Sequence, residues 1–171
     1  MTPAPRLGLD TCEELLGKLR WEKDLLEKQW DSPYLAFNFA VTANHLFADW
    51  IKSVGNKTQR QRANRLPELA KKLFFAWRDV ANASKHWSLD SNARKKQIVS
   101  SVSGPVIGDW YAYLIAGPVI YLEIEGARPS LPELVSVTLQ CFEWILESTE
   151  NEFPIELTRG LNSVFRSLSK E

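Results

Sequence analysis

The sequence predicts a mainly α-helical protein, a bundle of four to five helices with a small antiparallel sheet inserted before the fourth long helix. Apolar residues recur every three or four positions through most of the 171-residue chain, which is the period of a helix with one buried face. Between about residues 97 and 125 the pattern changes to short runs of β-branched and aromatic residues separated by Gly-Pro turns. No linker or repeat interrupts the chain, so we expect residues 1–171 to form one domain.

Capping residues delimit the first two helices. We expect the first helix to begin after Asp10 or Thr11, either of which can cap its N-terminus, and to end near Trp30. Asp31-Ser32-Pro33 then starts a second helix, which runs to about Ser53 and ends before Gly55. This second helix is apolar on nearly all sides, so we expect it at the centre of the bundle.

The remaining elements follow the same reasoning. The predicted segments are a third helix at 66–87, strands within 97–103, 106–115 and 119–125, a fourth long helix at 131–150 and a shorter one at 154–168. The sheet needs a helix to cover its apolar face, because an isolated hairpin is only marginally stable.

Composition indicates a soluble globular protein. Hydrophobic residues make up 44% and charged residues 25% of the chain, and the seven Trp predict large buried aromatic surfaces. We see no membrane-spanning run and no secretory signal, and we expect Cys12 and Cys141 to be reduced thiols on helix packing faces. These features predict a cytoplasmic protein without a membrane partner.

Charge is distributed unevenly along the chain. Residues 50–108 hold twelve basic and three acidic side chains, whereas residues 1–49 have a net charge of −3 and residues 109–171 a net charge of −6. The basic middle of the chain either binds an anionic partner or pairs with the acidic flanks, and the sequence does not separate these two alternatives.

The most basic stretch is the connection 52–65 between the second and third helices. It holds five basic residues and no acid: Lys52, Lys57, Arg60, Arg62 and Arg65. It is either a solvated loop or short surface helix, or a patch that contacts phosphates of RNA or another anion. No aromatic residue interleaves with these charges, so the sequence does not predict stacking of single-stranded bases here.

Two polar stripes mark otherwise apolar helices, and each contains one of the two histidines of the chain. Their members are Asn38, Thr42, His45 and Asp49 on the second helix, and Asp79, Asn82 and His86 on the third. Spacing of three and four residues puts each set on one helix face. Buried polar groups need partners, so each stripe is either an internally satisfied set or a functional site.

These stripes carry a resemblance. Asn44-His45-x-x-x-Asp49-Trp50, and then Arg78-Asp79-Val80-Ala81-Asn82-x-x-Lys85-His86, are followed by a strand, a Gly and a long helix containing Phe142-Glu143-Trp144. Over roughly residues 35–146 this pattern resembles a group of small uncharacterised bacterial proteins. That resemblance implies no established function.

A weaker resemblance is to HEPN domains, helical bundles found in many prokaryotic RNA-cleaving toxins and defence proteins. Asn82 and His86 match the Asn and His of the HEPN hallmark, while Ala81 stands where the hallmark has Arg. Arg78 could substitute, because it lies one turn before Asn82. The resemblance implies a nucleic-acid-associated or defence-type module, and a degenerate ribonuclease that needs no metal.

As a ribonuclease, the chain would use His86 as the base that takes the 2′-hydroxyl proton, with Asn82 orienting it and Arg78 or Lys85 stabilising the phosphorane. His45 with Asp49 is a second candidate pair, because residues one turn apart on a helix can hydrogen-bond to each other. If the second and third helices pack antiparallel with matched ends, His45 and His86 lie more than about 10 Å apart.

Two other interpretations stay open. His45, Asp49, Asp79 and His86 could hold a divalent transition metal if all four converged, but we expect no metal and no cofactor. The main alternative is a helical module without catalytic activity that binds a protein partner or forms a homodimer through an apolar helix face.

Overall fold

A computed structural model describes residues 9–83, 97–104 and 118–166. Its helices are α1 (Cys12–Leu26), α2 (Pro33–His45), α3 (Ile51–Ser53), α4 (Lys57–Asn64), α5 (Glu68–Ala83), α6 (Leu131–Leu146) and α7 (Ile155–Val164), and its strands are β1 (Val99–Ser103) and β2 (Tyr121–Ile124). The predicted fold class, mainly helical with a small antiparallel sheet, is confirmed. The predicted strand at 106–115 and the site residues Lys85 and His86 lie outside the described residues.

The helix starts follow the capping signals in the sequence. The Thr11 hydroxyl accepts a hydrogen bond from the Glu14 N–H, and Ser32 caps α2 in the same way ahead of Pro33. The end of α1 was predicted too late, because Leu26 rather than Trp30 is its last residue. The chain tightens there into i→i+3 hydrogen bonds, which end the helix.

A π-helical turn, Leu46–Trp50, joins α2 to α3, so the predicted second helix runs through an inserted wide turn. Gly55 ends it as predicted. A Cβ at Gly55 would lie 2.5 Å from the carbonyl oxygen of Ile51, so only glycine fits this close approach.

Aromatic contacts fix how α2 packs on α5. Phe39 meets Trp77 with ring centroids 5.3 Å apart, and Phe47 stacks on Phe74 at 4.1 Å. As residue numbers rise along one helix they fall along the other, so the two helices run antiparallel. The helix α2 also packs against α1, which confirms the central position predicted for it.

The small sheet contacts α5 through β1, and a backbone hydrogen bond joins the segment before β2 to the start of α6. Antiparallel pairing runs from Val99 opposite Ile124 to Ser103 opposite Tyr121. Ile124 is fully buried, as the alternation of this strand predicted, and the N–H of Leu131 at the start of α6 donates to the Ile120 carbonyl at 2.8 Å. The hairpin and the helix therefore share one core.

Both cysteines are buried free thiols on helix packing faces, as predicted. Burial raises the pKa of Cys12 to about 11 and that of Cys141 to about 12, because the thiolate loses its hydration. Among the described residues, no helix combines the length and the apolar character needed to cross a membrane.

Candidate functional site

The π-helical turn presents the first candidate pair, His45 and Asp49. His45 is the last residue of α2, and its Nδ1 lies 3.0 Å from Oδ2 of Asp49. The side chains are 41% and 56% exposed, so the pair faces solvent rather than the core. The Ser53 hydroxyl donates to the Asp49 carbonyl at 2.6 Å, which ties the turn to α3.

The hydrogen bond between Nδ1 and the Asp49 carboxylate determines the role of the other ring nitrogen. With Nδ1–H donating to Asp49, Nε2 of His45 is the basic atom, and no described residue hydrogen-bonds it. The Trp50 ring stands edge-on to the imidazole at 6.4 Å. This arrangement, a carboxylate on Nδ1 of a partly exposed imidazole, is the geometry that a general base uses.

The second candidate group lies on α5. Arg78 donates to Asp79 from Nε at 3.0 Å and from Nη2 at 2.7 Å, and its guanidinium lies 5.0 Å from the Phe75 ring centroid. The other oxygen of Asp79 accepts from the Ile98 N–H at 2.6 Å. Asp79 therefore anchors the lead-in to β1, and Arg78 is engaged with it.

The two candidate groups are separated along the bundle. The antiparallel contacts place His45 level with the middle of α5, around Phe74. Asn82, half-buried near the end of α5, is eight residues further on, which corresponds to roughly 12 Å along the axis. His45 and Asn82 therefore lie at different levels of the bundle.

The basic connection folds into α4, a short helix as one of its two interpretations predicted. Asn56 caps it, and Gln59 returns the capping hydrogen bond. On the solvent side it carries Lys57 and Arg60, with Lys52 and Arg65 exposed on either side of it. None of these four cations forms an ion pair with a described carboxylate.

Arg62 points into the protein and not toward solvent. This corrects the prediction that it belongs to the set of residues that contact phosphates. It is 6% exposed, and its Nη1 lies 3.4 Å from the carbonyl oxygens of Trp144 and Ile145. Those carbonyls end α6, where the helix dipole favours a cation. Arg62 holds α4 against α6 and is removed from the candidate surface.

The ion pairs bear on the alternative that the basic middle of the chain is neutralised by the acidic flanks. Lys72 and Glu125 are 3.0 Å apart and form the one ion pair, among described residues, between the basic middle of the chain and an acidic flank. The flanks pair with each other instead, as Arg20 does with Glu143 and Glu147. No described carboxylate pairs with the four cations on and beside α4.

A pocket of about 110 Å³ lies beside this surface. Its lining residues are Phe47, Ile51, Lys52, Arg60, Ala63 and Asn64. Sequence reasoning missed it, because Phe47 and Ile51 belong to a preceding apolar stretch and meet α4 only in the folded chain.

The described residues offer no set of side chains that could bind a metal ion. Within the three described ranges, no group of three or more His, Cys, Asp or Glu side chains could hold a metal ion. Of the four predicted metal ligands, Asp79 is buried and engaged with backbone N–H groups, and His86 lies outside these ranges.

Comparison with known proteins gives no further guide: no family model matches the chain, and neither does a curated protein or a solved structure.

Proposed function

We propose that this chain is a helical nucleic-acid-associated module that contacts phosphate groups through its cationic surface, defined as Lys52, Lys57, Arg60 and Arg65. The observation that carries the proposal is that these four side chains are exposed within fourteen consecutive residues and form no ion pair with a described carboxylate. Unneutralised cations at this density attract a polyanion and release its counterions on binding.

The helix that carries the surface is held rigidly. Gln59 and Arg62 lie on the buried side of α4 and bond the last carbonyls of α6, and Gln59 also bonds Glu13 of α1 at 2.9 Å. Lys57 and Arg60 are therefore presented by an anchored helix. Such preorganisation limits the side-chain ordering that binding would otherwise require.

Titration of labelled single-stranded RNA with the purified protein, at several salt concentrations, tests the proposal. The variant Lys57→Gln, Arg60→Gln, Arg65→Gln removes three charges from the cationic surface. The control Lys23→Gln, Lys28→Gln, Arg159→Gln removes three charges from α1, the turn after it and α7. We expect the surface variant alone to bind weakly, with the log–log salt slope reduced by about 2.

Equal losses in both triple variants would refute a localised surface, and absence of binding by the wild type would refute the proposal. If the protein forms a homodimer in sedimentation and binds no RNA, the alternative of an interaction module is favoured. The HEPN-like relationship and the bacterial origin belong to this proposal and rest on the two motifs around His45 and Asn82. The cytoplasmic location also belongs to it and rests on the two thiols expected to be reduced and on the expected absence of a secretory signal.

A second candidate function is RNA cleavage at the His45–Asp49 pair, favoured by its 3.0 Å hydrogen bond and exposed imidazole. Nε2 would take the proton of a 2′-hydroxyl, and the 2′-oxygen would attack the adjacent phosphorus. The bond from phosphorus to the 5′-oxygen would break, and the leaving 5′-oxygen would take the proton back from the imidazolium. Asp49 would orient the ring and stabilise the imidazolium. Cleavage that His45→Ala abolishes and His86→Ala spares would support this pair, and the reverse result would favour His86.

A further inference from the structure

The pocket beside the cationic surface combines two kinds of lining. Phe47, Ile51 and Ala63 provide an apolar wall, and Lys52 and Arg60 place two cations at the same opening. Asn64, the last residue of α4, adds an amide that can both donate and accept hydrogen bonds. An apolar wall beside cations suits a ligand with a flat apolar group next to negative charge.

The size of the pocket restricts what can enter. Its volume is about 110 Å³. Pockets that enclose a whole small molecule measure about 300–1,000 Å³. The pocket therefore admits one group of a larger ligand.

The aromatic wall is braced from behind. Phe47 stacks on Phe74 with centroids 4.1 Å apart and planes inclined by 6°, and Phe74 packs on Phe142 at 4.9 Å. A ring fixed in this way gives a flat group a surface that needs no rearrangement on binding. The sequence predicted no stacking because no aromatic residue interleaves with the basic ones. Folding supplies Phe47 from the π-helical turn.

We propose that this pocket holds one unstacked base of a single-stranded nucleic acid, with the neighbouring phosphates beside Lys52 and Arg60. The proposal rests on the nucleic-acid-binding function proposed above and specifies its substrate as single-stranded. An apolar and aromatic wall accepts the π-face of any base, and Asn64 can bond the edge of the base. A duplex keeps its bases paired and stacked, so it offers phosphates alone.

The test compares two fluorescently labelled strands of equal length: an oligouridylate, and the same phosphodiester backbone with abasic sites throughout. Both carry the same phosphates, so their affinity ratio isolates the contribution of the bases. We expect the wild type to bind the oligouridylate about tenfold more tightly, the contribution of roughly one stacked base.

Variants then locate the effect. Ala63→Met fills the pocket and should bring the affinity ratio close to one without changing the affinity for the abasic strand. Asn64→Ala, at an exposed position, should lower the ratio without a risk to folding. Arg65→Gln is the matched control, since Arg65 belongs to the cationic surface and does not line the pocket. It should weaken binding of both strands equally.

A wild-type ratio near one, with tight binding of both strands, would overturn the pocket proposal and leave the proposed function standing. A ratio that survives both Ala63→Met and Asn64→Ala would place the base elsewhere and overturn it as well. Failure of the wild type to bind either strand would overturn both proposals.

Discussion

Arg62 and Trp144 join two helices that are far apart in sequence: the Arg62 guanidinium lies 3.4 Å from the Trp144 carbonyl oxygen and 5.9 Å from the centroid of its ring. The last carbonyls of a helix lack partners within it and carry the negative end of its dipole. A buried cation with no described carboxylate partner is stabilised there by these carbonyls. The basic residue thus serves the fold, while its neighbours on α4 face solvent.

We therefore expect Arg62→Ala to lower the free energy of unfolding by about 2–4 kcal/mol, because the carbonyls of Trp144 and Ile145 lose a buried donor and the side chain leaves a void. Arg60→Ala, two residues earlier and exposed, should change it by less than about 0.5 kcal/mol. Urea denaturation of the two variants measures the difference. Similar values for both would mean that Arg62 does not anchor α4.

Asp79 connects α5 to the sheet. Its side chain is 5% exposed, and Oδ2 accepts from the Ile98 N–H at 2.6 Å and from the Val99 N–H at 3.3 Å. Asp79→Asn keeps the shape of the side chain but replaces one carboxylate oxygen by an amide N–H₂. That donor would face other donors, either the Arg78 guanidinium or the N–H groups of Ile98 and Val99. We expect a loss of about 1–3 kcal/mol in urea denaturation and faster hydrogen exchange at Val99.

The exposed Glu133→Gln provides a control for Asp79→Asn, because it makes the same chemical change at the capping box of α6. Its loss of stability in urea should be smaller, and hydrogen exchange at Val99 should not change. Unchanged exchange at Val99 in Asp79→Asn would show that the strand is held by other contacts.

Thr42 belongs to the polar stripe of α2, and its partners lie on α1. Its hydroxyl donates to Oε1 of buried Glu22 at 3.1 Å and accepts from Lys18. The other oxygen of Glu22 is buried without a partner among the described residues. Thr42→Val removes a hydrogen bond to a buried carboxylate, so we expect a loss of about 1–3 kcal/mol.

Asn38→Ala is the matched test for Thr42→Val, because Asn38 lies one turn earlier on the same stripe and is exposed. It should shift the urea midpoint little. If the two variants behave alike, Thr42 does not support the Lys18–Glu22 pair.

Helix periods and caps were readable from sequence because they depend on local chemistry. Thr11, Ser32 and Pro33 mark helix starts that the structure confirms. The π-helical turn was not predicted, because one extra residue in the turn shifts the spacing of the apolar residues too little to be detected in the sequence. The antiparallel packing of α2 on α5 was only a premise in the sequence, and the contacts of Phe39 with Trp77 and of Phe47 with Phe74 together establish it.

The candidate site was predictable only in part. The spacing of His45 and Asp49 predicted their hydrogen bond, because residues four apart meet on one helix face. The five basic residues looked equivalent in sequence, and only the fold separates buried Arg62 from exposed Arg60. Burial at that position depends on α6, some eighty residues away, so no local pattern could reveal it.

Glu14 makes the start of α1 sensitive to pH. Its carboxylate accepts from the Asp10 N–H at 2.8 Å, from the Thr11 N–H at 2.9 Å and from the Thr11 hydroxyl at 3.0 Å. These hydrogen bonds favour the charged form and hold the pKa of Glu14 below its usual value. The resulting stabilisation is fully present above the pKa of the unfolded chain, about 4.3. It is lost as the pH falls through the lowered pKa of the folded protein.

We expect the thermal midpoint of Glu14→Gln to lie below that of the wild type at neutral pH and to approach it as the pH is lowered through this range. The amide of Gln keeps one acceptor but carries no charge to titrate, so its capping strength does not depend on pH. Asp24→Asn, at an exposed position on the same helix, is the control and should not reproduce this convergence. A constant difference between Glu14→Gln and wild type at every pH would show that the capping bonds do not depend on the charge of Glu14.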